Sequence, residues 1–431
     1  MLLDDYEKDF LERLIAIPSV GGAPSEGRPY GDKPYDALTF FLDEAGKEGF
    51  RTNIIDNKVG YAEIGPIDSD KMLGIVCHLD VVPEGSGWNS DPFTLTLKED
   101  GRLYGRGIVD DKGPAACAFF AMRRLIKSGY DLRSRVRLIL GTDEERTCSC
   151  VECYAAKGEI PTFSITPDAE YPVIYAEKGI LNIKVYSDQP SKVTAFAGQA
   201  ANMVPARAES AINGVEYSGE GVPAHASKPD LGVNAIFDMV KKIDEDINLS
   251  PVLTYIKNEL ASKEYSDYTG CDVCDESGRI TANPSVLRAD GNGESIVIDI
   301  RYPVTCKADD ILRYMAQKAA GYGLKAEITT HMAPLFKDKD TPEIRLLTSV
   351  WSRHMSSYDG YEDKYKSEFT EPLAIGGGTY ARHMPDTIAF GLQAPWQQDQ
   401  CHQANESRAL RDIETDIDVL TEAITGLTEL F

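Results

Sequence analysis

Five short stretches put metal-type or proton-moving side chains where a strand reads as ending. Ile75-Val76-Cys77 runs into His78-Leu79-Asp80. Tyr104-Gly105-Arg106-Gly107 leads to Asp110 and Asp111. The apolar run Val136 to Leu140 exits through Gly141-Thr142 into Asp143, Glu144 and Glu145. Ser164-Ile165-Thr166-Pro167 ends in Asp168, and Gln400-Cys401 precedes His402. In an open α/β sheet, ligands bind beyond the carboxyl ends of the strands. Singly, each stretch has a plain alternative: a solvated acidic loop at Glu144-Glu145, a helix cap at Asp110 or Asp111, a surface His beside a turn acid at His78. As an ordered set, two imidazoles and several carboxylates suit two divalent cations bridged by one carboxylate and one water. Two metals ~3.5–4 Å apart polarise a carbonyl and lower the pKa of bound water toward ~7. A glutamate outside the ligand set could take a proton from that water and pass it to a leaving amine. Mixed His and carboxylate ligands favour zinc, with manganese or cobalt as alternatives, over magnesium. Asp80 could hold the second ring nitrogen of His78 and fix its tautomer.

The elements that must position these groups are legible in outline. Asp4 to Ala16 and Ala37 to Glu48 carry apolar residues at helical spacing, separated by a Gly/Pro-rich loop from Gly21 to Lys33. Thr52 to Ile55, Val59 to Ile64 and Lys71 to Cys77 read as strands. Phe93 to Leu97 and Leu103 to Tyr104 read as a hairpin turned at Asp100-Gly101. Gly113 to Lys127 is a long apolar helix. Strands alternating with helices predict an α/β fold, with a mainly parallel sheet covered by helices on both faces. The pattern changes after Gly179. Ile180 to Tyr186 and the Ile296-Ile298-Ile300 run alternate as half-exposed antiparallel strands do, and helical faces lie at Val233 to Val240 and Ile311 to Met315. That order predicts an inserted α+β, ferredoxin-like domain over residues 180–330, leaving 1–179 and 331–431 as one discontinuous metal-binding catalytic domain. Pro342 to Ser356 returns to helix, Thr387 to Gly391 reads as a strand, and the C-terminal helix carries one apolar stripe from Leu410 to Leu427.

Composition narrows the function. The 431 residues are 42% hydrophobic and 26% charged, as in a soluble globular protein of two or three domains. A formal charge of -24 argues against nucleic acid, because phosphate binding needs a basic surface. No apolar run reaches the ~20 residues of a membrane span. The acidic N-terminus MLLDDYEKDF lacks a signal pattern, so the expected location is cytoplasmic. Nine Cys, including the Cys148/Cys150/Cys153 cluster and the Cys271-Cys274 pair, are expected as reduced thiols, with a redox or metal role at Cys271-Cys274 as the alternative.

The stretches CHLDVVP, WNSDPF, YGRGIVDDKGP, GTDEE, TPDAEYPV, NMVPARA, PAHASKPDLGVNA, DIRYPV, GGGTYAR and HQANE occur in the order of the metallopeptidase family M20. The chain resembles that family, and within it the bacterial dipeptidases of the PepV type. The resemblance implies that His78 and Asp168 bind one cation, Glu145 and His402 the other, and Asp110 both, with a cis peptide bond after Asp110. It makes Glu144 the general base and Asp80 the residue that orients His78. The inserted domain resembles the family's lid. There His225 would stabilise the oxyanion, while Asn202 and Arg301 hold the substrate. Gly377, Gly378 and Thr379 would add backbone and hydroxyl donors. Arg301, on the strand face opposite Ile300, suits the free C-terminal carboxylate of a dipeptide, because a guanidinium forks onto a carboxylate.

Cys77 and Arg146-Thr147-Cys148 depart from the family's usual Gly and Ser-Gly-rich residues. The lid is longer than in small-lid dimeric members and shorter than in PepV itself, which favours a monomer over a homodimer. Three functions remain open on these grounds: hydrolysis of dipeptides, hydrolysis of N-acyl amino acids by the same chemistry, and a non-catalytic metal-stabilised binding protein.

Overall fold

The structure is a computed structural model that describes residues 3–244, 247 and 249–431. The first two residues of the expected 1–179 segment and three within the expected 180–330 insertion therefore lie outside the described residues. The chain forms two compact units. One comprises residues 1–175, 337–373 and 379–431; the other comprises 176–336 and 374–378.

In the first unit, the sheet order runs from Arg51–Ile55 through Val59–Ile64, Arg135–Gly141, Met72–His78 and Phe163–Thr166 to Thr387–Ala389. The central pairings are parallel: Met72–His78 lies between Arg135–Gly141 and Phe163–Thr166, and the latter pairs with Thr387–Ala389. Both of the strands flanking Met72–His78 are buried along their whole length, as covered parallel strands are. The centre of the sheet is parallel as expected, and the outer strands add antiparallel pairings. Val59–Ile64 runs antiparallel both to Arg51–Ile55 and to Arg135–Gly141. The reason is local. Asp56 and Asn57 take left-handed torsions, φ 51° and 55°, and turn the chain straight back with no crossover helix.

The two faces follow from the period-two alternation of the strands. On one side, Phe10, Phe41 and Phe119 from three helices meet with ring centroids 5.0–5.4 Å apart, mixing edge-on and tilted packing. The helix Leu410–Leu430 packs on Lys112–Ser128 and buries Ile413, Ile417, Leu420, Ile424 and Leu427. On the other side, Val59, Val76 and Ile139 contact Val151 and Tyr154 of Ser149–Lys157, together with Tyr380. Gly141 is obligatory here: a Cβ would sit 2.0 Å from the Tyr380 hydroxyl. The second helix starts at Asp32, inside what the sequence suggested was loop, with Pro34 tolerated in its first turn.

The second unit is an antiparallel sheet ordered Val215–Glu220, Arg207–Ile212, Thr194–Ala197, Thr281–Asp290, Gly293–Tyr302, Gly179–Ser187 and Lys325–Met332. It carries more strands than the sequence order suggested. Helix Ala235–Lys242 packs on the first two strands, and Ala308–Ala320 on the last two. The reduced-thiol expectation is corrected at one point: Cys271 is disulfide-bonded to Cys306, not to Cys274, which is exposed and free. Asp275 draws the two segments together by accepting the amide and hydroxyl of Thr305 at 2.9 and 2.8 Å.

Candidate metal centre

Parallel register gathers the site. His78 pairs with Gly141, and Leu73 and Ile75 pair with Phe163 and Ile165, so three strands finish at one edge of the sheet. His78, Glu144, Glu145 and Asp168 leave from those ends. Asp110 arrives from the loop before Lys112–Ser128, and its bond to Asp111 is cis. His402 arrives from the loop before the last strand-helix unit, held at a left-handed φ of 64° that non-glycine residues adopt mainly at constrained sites.

Nε2 of His78 lies 3.0 Å from Asp110 Oδ1, 3.5 Å from Asp168 and 3.9 Å from Glu144. Nε2 of His402 lies 3.0 Å from both the second oxygen of Asp110 and Glu145. Asp110 thus faces one imidazole with each oxygen. Among the described residues, His78 Nε2, Asp110 Oδ1 and Glu145 Oε1 are buried without a hydrogen-bond partner. One ligand atom from each of these three residues lies within 4.8 Å of the others. Buried lone pairs of imidazole and carboxylate with no partner are what a divalent cation satisfies, so this donor set fits one.

The support behind the set differs from expectation at Asp80. His78 Nδ1 meets the Asp80 backbone carbonyl at 3.0 Å, while the carboxylate stands 3.5 Å away. That carboxylate instead accepts the amides of Glu144 and Glu145, both at 3.1 Å. Asp80 therefore orients the ring through its main chain and the acidic pair through its side chain. Asp111, expected from the sequence only as a candidate helix cap, stands at the N-cap of Lys112–Ser128 but turns its carboxylate to accept the His78 amide at 2.8 Å.

Glu406 is the second residue missed. It is fully buried and accepts the amides of Gly107, Val109 and Asp110 at 2.7–3.3 Å, and Arg106 Nη1 at 2.7 Å. It ties the loop bearing Asp110 to the loop bearing His402. Glu406→Gln is expected to weaken metal affinity about 10–100-fold, the usual cost of losing an outer-sphere partner. Competition with a chromophoric chelator checks this, and unchanged affinity in a folded variant would remove Glu406 from the site.

The electrostatics of the metal-free cluster are lopsided. Burial pushes the Glu144 carboxyl up to about 8 against the pull of His78, with Asp168, Asp110 and Glu145 adding to the rise. Hydrogen bonds to Asp110 and Glu145 lift His402 to about 10. Burial opposes ionisation of Asp110, yet His402 and His78 outweigh it and hold that carboxyl below its usual range. Glu144 and His402 both hold protons more tightly folded than unfolded. Their stabilisation is complete at low pH and is lost as pH rises, for Glu144 from about 4.5 to about 8 and for His402 from about 6.5 to about 10. Metal-free protein is therefore expected to lose thermal stability as pH rises from 5 to 9, while the increment from added zinc grows, because ligands bind metal deprotonated. Melting curves with and without chelator read both trends, and a metal-free midpoint that climbs over that range would contradict the assignment.

The remaining expected residues divide between the two units. Asn202, His225, Arg301, Gly377 and Gly378 belong to the second unit, and Thr379 to the first. The Asn202 carbonyl accepts the Ala226 amide at 2.8 Å, and Met203 pairs with His225 across a β-bridge. His225 Nδ1 meets Ser227 Oγ at 2.7 Å. Arg301 is 4% exposed, with Nε and Nη2 on the two oxygens of Asp299 at 2.6 and 3.0 Å and Nη1 on the Gly376 carbonyl at 3.3 Å. Thr379 caps the short turn Tyr380–His383.

Residues 74–426 match Peptidase family M20/M25/M40. A Staphylococcus aureus (strain bovine RF122 / ET3-1) protein named "Putative dipeptidase SAB1611c" is 30% identical over 463 residues, covering 97% of this chain and 96% of its own. Among solved structures, the aminoacylhistidine dipeptidase from Vibrio alginolyticus has a TM-score of 0.64 at 11% identity, covering 100% of this chain and 97% of that one. Human carnosine dipeptidase 1 has a TM-score of 0.59 at 16% identity, covering 98% and 97%. At such identities these two structures speak for the fold alone. The family match takes in all six of the side chains gathered at the strand ends, and the relative is alike from end to end: the chain belongs to the M20 peptidases, a metal-dependent family.

Proposed function

We propose that the protein is a dinuclear metallo-dipeptidase. The observation that carries the reading is Asp110, whose two oxygens each face an imidazole at 3.0 Å. His78 and Asp168 would hold one cation and Glu145 and His402 the other, zinc first, with manganese or cobalt as alternatives. When bound, such a pair supplies Lewis-acid polarisation of the scissile carbonyl and an acidified water. Glu144 would take a proton from the attacking water and deliver it to the amine that leaves. Asp80, through its carbonyl, keeps the His78 ring in the orientation and tautomer a ligand needs. His225 is assigned to the developing oxyanion, and Asn202, Gly377, Gly378 and Thr379 to the substrate backbone. Arg301 is assigned to the substrate's C-terminal carboxylate. Of its five N–H groups, three are engaged, which leaves two for a ligand. The reading includes a monomer acting in the cytoplasm.

The test is hydrolysis of a dipeptide panel by chelator-stripped protein titrated with zinc, cobalt or manganese. Activity is expected to climb until two equivalents are bound. Saturation at one equivalent would refute the dinuclear reading. Turnover of N-acetyl amino acids in preference to dipeptides would move the assignment to the amidohydrolase alternative.

A further inference from the structure

A cavity of about 250 Å³ lies within the first unit, lined among others by Arg102, Asp359, Trp396, Gln397, Arg408 and Asp412. None of these side chains belongs to the catalytic set. Arg408 is 5% exposed, and its Nε is buried with no hydrogen-bond partner among the described residues. The Asp359 carboxylate is 3.9 Å from Arg102 and 3.6 Å from Arg411, within Coulomb range of both and hydrogen-bonded to neither. Asp412 is buried and already committed, accepting the Asp359 amide at 2.8 Å and Gln397 Nε2 at 2.7 Å.

The charges are balanced. Arg102, Arg408 and Arg411 stand against Asp359, Asp412 and Asp416, to which Arg408 is paired. A simple anion or cation would gain from one half of this set and be repelled by the other. A zwitterion is favoured by both. The volume is just under the ~300–1,000 Å³ of sites for drug-sized ligands, which indicates something smaller. Trp396 also lines the cavity, held there by stacking on Tyr365 at 4.7 Å between ring centroids and by donating its Nε1 to the Asp359 carbonyl at 2.8 Å, so its π-system lies beside Asp359, where an ammonium is favoured.

We propose that this cavity binds a free α-amino acid, with its carboxylate toward Arg102 and Arg408 and its ammonium toward Asp359 and Trp396. The demand for a zwitterion comes from the cavity itself; the choice of an amino acid rests on the dipeptidase reading, since dipeptide hydrolysis releases that class of molecule. The site is wired to the metal centre. Val109 and Gln400 also line the cavity. The Val109 amide is held by Glu406 at 2.7 Å and directly precedes Asp110. Gln400 accepts the amide and hydroxyl of Ser407 at 2.8 and 3.0 Å and lies two residues before His402. An occupant thus touches both segments that carry facing groups of the cluster, and it changes kcat more than KM.

The experiment titrates metal-loaded protein with L-alanine, L-alaninamide and propionate, following tryptophan fluorescence and dipeptide turnover. L-Alanine is expected to bind at least tenfold more tightly than either singly charged analogue and to alter kcat with KM unchanged. Trp396→Phe should lose the fluorescence signal. Asp359→Asn and Arg102→Gln should weaken alanine binding at least tenfold while basal turnover stays as in the parent. Purely competitive alanine, equal in parent and both variants, would place it only among the substrate groups and overturn the proposal, as would no binding up to millimolar concentration. If dipeptide turnover is absent, the fluorescence titration still decides the cavity, so the two readings fail separately.

Discussion

Glu144→Ala is expected to lower kcat for dipeptide hydrolysis about 10³-fold, within the ~10²–10⁴ that positioned acid–base groups supply, with metal content and fold retained. Glu144 stands back from the other acids around His78. Its carboxylate stands 3.9 Å from His78, farther than Asp110 or Asp168. Its amide, not its side chain, makes the bond to Asp80, so alanine keeps that support. Burial raises its proton affinity to about 8, and bound cations would pull that value back toward neutrality, where a base that must also release its proton works best. The check is kcat alongside metal analysis of the purified variant. A kcat within tenfold of the parent at two equivalents of metal would mean that another group moves the proton. Glu144→Gln serves as the second variant, since it keeps the volume and removes only the proton acceptor.

Sequence and structure agree where one residue type at one strand end carries the information. The structure brings together six side chains that the sequence singles out: His78, Glu144, Glu145 and Asp168 as an imidazole and acids beyond apolar runs, Asp110 beyond a Gly-rich turn, and His402 as an imidazole ahead of the final helix. Their support is not legible in that way. Glu406 reaches back nearly three hundred residues to the amides of Gly107, Val109 and Asp110, and a bond from a side chain to a distant backbone leaves no spacing to read. Asp80 is legible as an acid beside His78, but only the folded chain brings its carboxylate to the amides of Glu144 and Glu145. Among the strands missed in the second unit, Thr194–Ala197, Arg207–Ile212 and Val215–Glu220 bury mostly small side chains and so show weak hydrophobic alternation. One signal was available. Asn213-Gly214, with φ of 49° and 82°, is the two-residue turn that pairs Ile212 with Val215.

Arg301→Lys is expected to erase the preference for a free C-terminus. In the parent, amidation of the dipeptide should cost about 2–4 kcal/mol in kcat/KM, roughly 30- to 1,000-fold, the range for losing one partner of a desolvated charge pair. In the variant the two substrates should react within a few-fold of each other. The substitution keeps the charge, so the argument turns on geometry. Asp299 engages Nε and Nη2 together, fixing the plane of the guanidinium, and Gly376 fixes Nη1. The two remaining N–H groups are thereby held in a fixed plane, so a carboxylate bound there would cost little rotamer freedom. A lysine ammonium cannot satisfy Asp299 bidentately and also present a planar fork. Comparing free and amidated substrates on the same variant cancels any general loss from misfolding or weaker metal binding, because both depend on the same active fraction. Asp299→Asn probes the same device from the other side: it keeps the arginine, loosens its plane, and should reduce the discrimination without abolishing it. If Arg301→Lys lowers turnover of both substrates equally and leaves their ratio intact, the carboxylate is held by another group and Arg301 is a structural ion pair with Asp299.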